Sequence, residues 1–278
     1  MHKTLIGLIF IIVPTLLSSC GFMLGNNVVS PNILKPEHAY TRYPINTQHF
    51  TLIAFLAPVI HSDTLSIYIE GDGLAWLTRT QASPNPTPTN PVALKLALLN
   101  KQGNVAYLAR PCQYTNAAEA YNCNPHYWTD GRFAPEVITS MDQAIEALKQ
   151  KTQARTIRLI GFSGGGSVAA LVAARRNDVS YLVTLAGNLD HTAWTQHHGV
   201  SPLSDSINPV NIAADLRNTR QIHFSGSLDK VIPHSTTAHY RSVFTHSDSA
   251  RFIVIPNTRH NCCWSAVWPE LQHYIDTP

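Results

Sequence analysis

Apolar and alternating runs of strand length recur along the chain: Thr51 to Phe55, Leu65 to Ile69, Val105 to Ala109, Ile157 to Gly161, Tyr181 to Leu185, Gln221 to Phe224 and Phe252 to Ile255. Their lengths and apolar character predict seven strands. Between some of them the period becomes helical. Ala134, Ile138, Met141, Ile145 and Leu148 share one face, with Pro135 suited to a first turn; Trp264, Val267, Trp268, Leu271 and Ile275 repeat that spacing, with the aromatics expected to pack on a sheet. Strands alternating with helices predict the α/β class: a mainly parallel sheet, covered on both faces, with ligands bound beyond the strands' carboxyl ends.

Two connections are long for this scheme. Thr78 to Pro91 is rich in Pro, Thr and Asn and reads as either a surface loop or a pocket rim. Gly187 to Asn218 carries Trp194, His197 and His198 and has room for a small cap, not for a large lid domain. The chain has 278 residues, 44% hydrophobic and 13% charged, enough for one substantial core and unlike a disordered polymer. A formal charge of only +3, with no Lys/Arg cluster, excludes an evident nucleic-acid surface.

The N-terminus has a different pattern. Lys3 precedes an apolar stretch, Leu5 to Leu17, that is short for a membrane span and reads as a signal peptide over residues 1–19. Leu17-Ser18-Ser19-Cys20 resembles the lipobox of bacterial lipoproteins, which implies cleavage before Cys20, lipidation of that cysteine and a membrane anchor of several acyl chains. Residues 20–47 then read as a lipid-attached tether and 48–278 as the folded domain. Gly21, rather than Asp, after Cys20 points to the periplasmic face of the outer membrane if the cell is Gram-negative. Export also bears on the other four cysteines, which lack zinc-site spacing. Cys112 to Cys123 is the simplest bridge; the adjacent Cys262 and Cys263 can bond to each other only in a strained ring, and their state stays open.

The chemistry centres on Gly161-Phe162-Ser163-Gly164-Gly165, a G-x-S-x-G run between an apolar strand and the Ala-rich, helix-prone stretch from Ser167 to Arg175. Such a strand-turn-helix exposes a serine hydroxyl at a helix N-terminus, and it needs small neighbours because strand and helix approach closely. The absence of a Walker lysine argues against a phosphate-binding loop.

With these residues the stretch 50–276 resembles an α/β hydrolase. In that family the nucleophile follows strand five, and an acid and then a histidine come later in the chain. The resemblance implies Ser163 as nucleophile, Asp229 in Ser225-Gly226-Ser227-Leu228-Asp229-Lys230 as the acid, and His260 in Asn257-Thr258-Arg259-His260 as the base. Asp190, after strand six, is the rival acid. The resemblance also implies an oxyanion hole from the Gly164 N–H and from the loop Ile69-Glu70-Gly71-Asp72-Gly73-Leu74, with Asp72 or a neighbour as second donor. The family commonly has His where Glu70 stands and does not usually have a carboxylate at position 72. Looser likeness, in Arg110-Pro111-Cys112-Gln113-Tyr114, Tyr127-Trp128-Thr129, Asn188-Leu189-Asp190 and His260-Asn261-Cys262-Cys263-Trp264, extends to a group of bacterial α/β-hydrolase lipoproteins.

The expectation is therefore a membrane-anchored serine hydrolase of the cell envelope. It would cleave a small-molecule or lipid acyl ester through an acyl-enzyme, with no metal or organic cofactor and no nucleic-acid partner. Thioesters or amides suit the same machinery, and a non-catalytic lipoprotein that binds an envelope component is the reading from another class.

Overall fold

The computed structural model describes residues 31–276; the expected signal peptide and Cys20 lie outside the described residues. Eight strands form one sheet: β1 (Thr41–Asn46), β2 (Thr51–Leu56), β3 (Thr64–Ile69), β4 (Asn104–Leu108), β5 (Thr156–Phe162), β6 (Val179–Leu185), β7 (Gln221–Gly226) and β8 (Ala250–Ile255). Their spatial order is β1-β2-β4-β3-β5-β6-β7-β8. β2 pairs antiparallel with β1 and β4, and every other pairing is parallel. All seven runs expected to be strands are strands, in a mainly parallel sheet.

β1 is the exception to the expected boundaries. It lies inside the segment 20–47 read as tether, so the folded body begins before residue 48. Thr41-Arg42-Tyr43-Pro44-Ile45-Asn46 buries only Ile45, as befits an edge strand that tolerates a proline, and it therefore carries almost no apolar alternation to read. Upstream of it, Ile33, Leu34 and Tyr40 already pack on the core, and the Tyr40 hydroxyl donates to the Ala97 carbonyl at 3.0 Å.

Helices cover both faces. One layer holds α2 (Pro135–Thr152) and α3 (Gly164–Ala173), and the other holds α1 (Val92–Leu99) and α6 (Trp264–Asp276). The strand period of two divides the core accordingly: Leu65, Ile67 and Ile69 of β3 face the first layer and Tyr68 the second. The expected faces of α2 and α6 are the buried ones, with Ile138, Met141, Ile145 and Leu148 on one and Trp264 and Trp268 on the other. Burial on both sides explains why the central strands read as nearly continuous apolar runs.

Between β6 and β7 the chain inserts α4 (His191–His198) and a 3-10 segment, Pro209–Leu216, the small cap expected there; a short α5 (Ala238–Ser242) follows β7. The cap is pinned over the loop that follows β7, because Trp194 Nε1 donates to the Val231 carbonyl at 2.7 Å and His198 Nε2 lies 2.8 Å from the same oxygen. Among the described residues no helix is long and apolar enough to cross a membrane.

Candidate active site

β5 ends at Phe162 and α3 starts at Gly164, so Ser163 alone makes the turn, at φ 53 and ψ −122. A non-glycine residue there is strained, and neighbours on both sides hold it. Its N–H donates to the Leu185 carbonyl at 3.0 Å, and its carbonyl accepts from Gly166 at 2.9 Å and Asn188 at 3.2 Å. Gly161 is required for the approach: a Cβ there would lie 2.2 Å from the Gly165 carbonyl oxygen. Burial of the whole of α3 explains its run of small and apolar residues.

The C-terminal ends of β7 and β8 bring two more side chains to this turn. His260 Nε2 lies 3.0 Å from Ser163 Oγ, and His260 Nδ1 lies 2.8 Å from Asp229 Oδ2. A carboxylate can only accept, so the Asp229 contact puts the imidazole proton on Nδ1 and leaves Nε2 to accept from the serine hydroxyl. Asp229 is itself fixed, since Oδ1 accepts from the N–H groups of Val231 at 2.8 Å and Ile232 at 2.9 Å. The imidazole packs near Phe162, with ring centroids 5.1 Å apart, and Trp264 Nε1 donates to the His260 carbonyl at 2.8 Å. Ser163, Asp229 and His260 are all buried, at 9%, 6% and 9% exposure, so this chain of polar contacts is largely shielded from water.

Asp190, the rival acid, is engaged elsewhere. It caps α4, with Oδ1 accepting from Thr192 and Ala193, both at 3.1 Å, and from Asn208 Nδ2 at 3.0 Å. Its Oδ2 lies 3.5 Å from His239 Nδ1. Its acid character thus serves a helix start.

The loop after β3 borders the same cleft, as expected. Gly164 opens α3, so its N–H has no carbonyl four residues back in the helix and is free to face an anion. The Gly71 N–H is already used by Glu70 Oε1 at 3.0 Å, which leaves the Asp72–Gly73 stretch as the part of the loop able to supply a second donor. The Asp72 carboxylate reaches back to the elbow, and a Cβ on Gly164 would lie 2.0 Å from its Oδ1. Two arginines meet it, Arg110 from the Arg110-to-Tyr114 segment quoted above and Arg132 from outside any quoted motif: Arg132 Nη1 lies 2.6 Å from Oδ2 and Arg110 Nη1 3.3 Å from Oδ1. Burial alone would raise the Asp72 carboxyl, but the Arg132 and Arg110 guanidiniums hold it below its ordinary value. Burial lowers Arg110 to about 10, so it stays charged near neutral pH. Arg132 lies in an irregular stretch between β4 and α2, where no sequence period marks an inward residue.

Beneath the loop is Glu70, 1% exposed, whose carboxyl burial pushes up to about 7 while the N–H groups of Gly71 and Ala93 pull it partway back. The cleft has a volume of about 420 Å³, and Trp76, Pro88, Thr89 and Asn90 help to line it. The irregular connection from Thr78 to Pro91 is thus a pocket rim and not only a surface loop. Trp194 brings the cap to the opposite wall. Among the described residues one set could approach a metal ion, His126, Asp130 and Asp205, with ligand atoms within 4.8 Å of one another; the two acids are exposed and the set does not border this cleft.

Both bridges between the remaining cysteines are formed. Cys112 joins Cys123, as expected, and Cys262 joins its neighbour Cys263, between His260 and the start of α6.

No family model matches the chain. No curated protein matches it. Solved structures do. An α/β serine hydrolase without a lid from Xanthomonas campestris is 16% identical, with a TM-score of 0.55 over 85% of this chain and 93% of that one. An esterase from Pyrococcus furiosus is 15% identical, with a TM-score of 0.62 over 87% and 93%. An acylaminoacyl peptidase from Pyrococcus horikoshii is 9% identical, with a TM-score of 0.58 over 85% of this chain but 41% of its own. The fold of this chain is therefore that of the α/β hydrolases.

Proposed function

We propose that this protein is a serine hydrolase that cleaves carboxylic esters through an acyl-enzyme, with Ser163 as nucleophile, His260 as general base and acid, and Asp229 as the group that orients His260. The observation that carries the reading is the relay of contacts from Ser163 Oγ to His260 Nε2 at 3.0 Å and from His260 Nδ1 to Asp229 Oδ2 at 2.8 Å, at the tip of a strained elbow. The similarity in fold to a serine hydrolase and an esterase supports it.

In this reading Ser163 Oγ attacks the ester carbonyl carbon as His260 Nε2 takes the hydroxyl proton, and the carbonyl oxygen becomes an oxyanion facing the Gly164 N–H and the loop at Asp72. The tetrahedral intermediate collapses, the alkoxide leaves with the proton from His260, and the acyl group stays on Ser163. Water then gives its proton to His260 and attacks the acyl carbon. The acid departs as His260 returns the proton to Ser163. Asp229 stabilises the imidazolium in both halves.

The test is a fluorophosphonate probe. Labelling of the native protein on Ser163, lost in Ser163→Ala, supports the reading; a folded native protein that stays unlabelled and hydrolyses no ester in a panel removes it in favour of a binding role. Ser163→Ala is expected to lower ester turnover by roughly 10⁴ to 10⁶.

We also propose that Cys20 is lipidated and anchors the domain to the cell envelope, on the strength of the Leu17-Ser18-Ser19-Cys20 pattern. Metabolic labelling with a palmitate analogue checks it, and equal label in wild type and Cys20→Ser overturns it.

A further inference from the structure

A second cavity opens beside the cleft. It has a volume of about 710 Å³, against about 420 Å³ for the cleft, and Trp76, Arg132 and Trp194 border both. Its remaining walls come from three segments: Leu77, Thr78 and Arg79 on the rim after β3, Thr129 and Asp130 between β4 and α2, and Val200, Ser201, Pro202 and Leu203 on the cap. Trp76, Leu77 and Val200 are exposed at 42%, 49% and 41%, which is unusual for large apolar side chains gathered in one concave place. Their position has a local cause. Trp76 pairs with Ala82 in an isolated bridge, and the Leu77 N–H donates to the Gln81 carbonyl at 2.9 Å, so the rim is held in a tight turn that presents Trp76 and Leu77 outward. Across the groove, the hydrogen bond from Trp194 to Val231 holds α4, and Arg132 lies over the Trp194 ring at 5.8 Å.

We infer that this groove is the binding site for an extended aliphatic acyl chain whose ester carbonyl lies at Ser163, so that the substrates are medium- or long-chain acyl esters and not acetate-like ones. The inference rests on the esterase reading above and adds the substrate class. Continuity with the cleft selects the occupant: a chain attached to a carbonyl at Ser163 enters where Trp76, Arg132 and Trp194 border both cavities and meets Leu77, Val200 and Leu203 beyond them, while the polar groups of Thr78, Arg79, Thr129, Asp130 and Ser201 complete the wall. Arg132 does not spoil this path, because its charge is paired with Asp72 and its guanidinium lies over the Trp194 ring at 5.8 Å.

Each methylene fully withdrawn from water would raise kcat/KM by about fourfold, and one half-covered in an open groove by about twofold. From butyrate to octanoate the half-covered case gives about 16-fold. The experiment measures kcat/KM for p-nitrophenyl esters from acetate to dodecanoate below their critical micelle concentrations. Wild type is expected to rise with chain length through octanoate. Leu77→Asp and Val200→Asp should each reduce the octanoate-to-acetate ratio by about tenfold, while Val59→Asp, an equally exposed apolar position elsewhere, should leave that ratio unchanged.

Binding of decanoate to Ser163→Ala, followed by tryptophan fluorescence, reads the groove without turnover. Affinity that increases with chain length and falls in Leu77→Asp sustains the inference. A flat ester series, equal loss for short and long esters in both groove variants, or decanoate binding indifferent to Leu77→Asp overturns it. A dimer in solution that Leu77→Asp dissociates, with no acyl-chain preference, also overturns it and gives the groove to a second copy. Active-serine labelling with a flat ester series discards the acyl groove alone; chain-dependent decanoate binding in a protein that never labels discards the esterase and leaves the groove.

Discussion

Replacing Glu70 by Gln should reverse part of the protein's response to pH. The side chain is fully buried under the loop that borders the proposed catalytic cleft, and its Oε1 accepts the Gly71 N–H at 3.0 Å. Burial raises the carboxyl from 4.5 to about 7. Folded protein therefore holds this proton more tightly than unfolded chain, so the contribution to stability is complete below pH 4.5 and is lost as pH rises through about 7. A shift of this size corresponds to about 3 kcal/mol across that window. Glu70→Gln keeps an oxygen for Gly71 and cannot ionise, so it should lack this loss. Urea unfolding of both proteins from pH 5 to 8.5 is the assay. Relative to wild type, the variant should gain most of about 3 kcal/mol on going to the higher pH, a shift of the urea midpoint on the order of 1 M. A stability difference that stays constant over that range would refute the reasoning, because it would mean Glu70 titrates alike in folded and unfolded chains.

Three further outcomes are expected. Asp229→Asn should lower ester turnover by about 10⁴ while Asp190→Asn stays within a few-fold, both compared as folded proteins on one activated ester; the reverse ranking would move the acid to the turn after β6. His223, buried and pushed down to about 3, must gain a proton on unfolding below pH 6.5, so its own contribution costs about 3 kcal/mol between pH 7 and 4, opposite in sign to that of Glu70; denaturant titrations should find His223→Gln gaining about that much on wild type over this range, and a constant difference would overturn it. Cys112→Ser with Cys123→Ser should cost about 3 kcal/mol in equilibrium unfolding, since the bridge closes a short loop; an unchanged midpoint would show that the loop is held by packing alone.

Legibility of this chain followed burial. Strands β2 to β7 are largely buried, and β8, of which only Ile255 is buried, still carries the apolar run Phe252 to Ile255, so each is marked by its apolar residues. β1 buries only Ile45 and so looked like tether. The elbow was legible because its sterics admit few sequences: Gly161 faces the Gly165 carbonyl at a distance no side chain tolerates. Asp229 and His260 were legible only through a family resemblance, since a lone Asp in a turn and one histidine among 14 carry no period. The choice between Asp229 and Asp190 depended on where side chains point, and Asp190 proves to be the cap of α4. Arg110, Arg132 and the groove beyond Trp76 arise where irregular segments from distant parts of the chain meet, and no local pattern encodes such a meeting.

That meeting accounts for the oddest residue in the proposed machinery. An isolated carboxylate beside an oxyanion hole opposes the charge that develops there; at roughly 5 Å and an effective dielectric of about 20, the repulsion is about 3 kcal/mol, worth some two powers of ten in rate. In the proposed mechanism Asp72 would occupy such a position, since a Cβ on Gly164 would lie 2.0 Å from its Oδ1. It is not isolated, because Arg132 and Arg110 both contact it, and two guanidiniums beside one carboxylate give the cluster a formal charge of +1. The pair of arginines thereby turns an unfavourable local field into a neutral or favourable one, and the carboxylate in return holds Arg132 at the junction of cleft and groove, over Trp194. The three side chains work as a unit: without the arginines Asp72 would impede an esterase, and without Asp72 the arginines would face each other uncompensated in a buried wall.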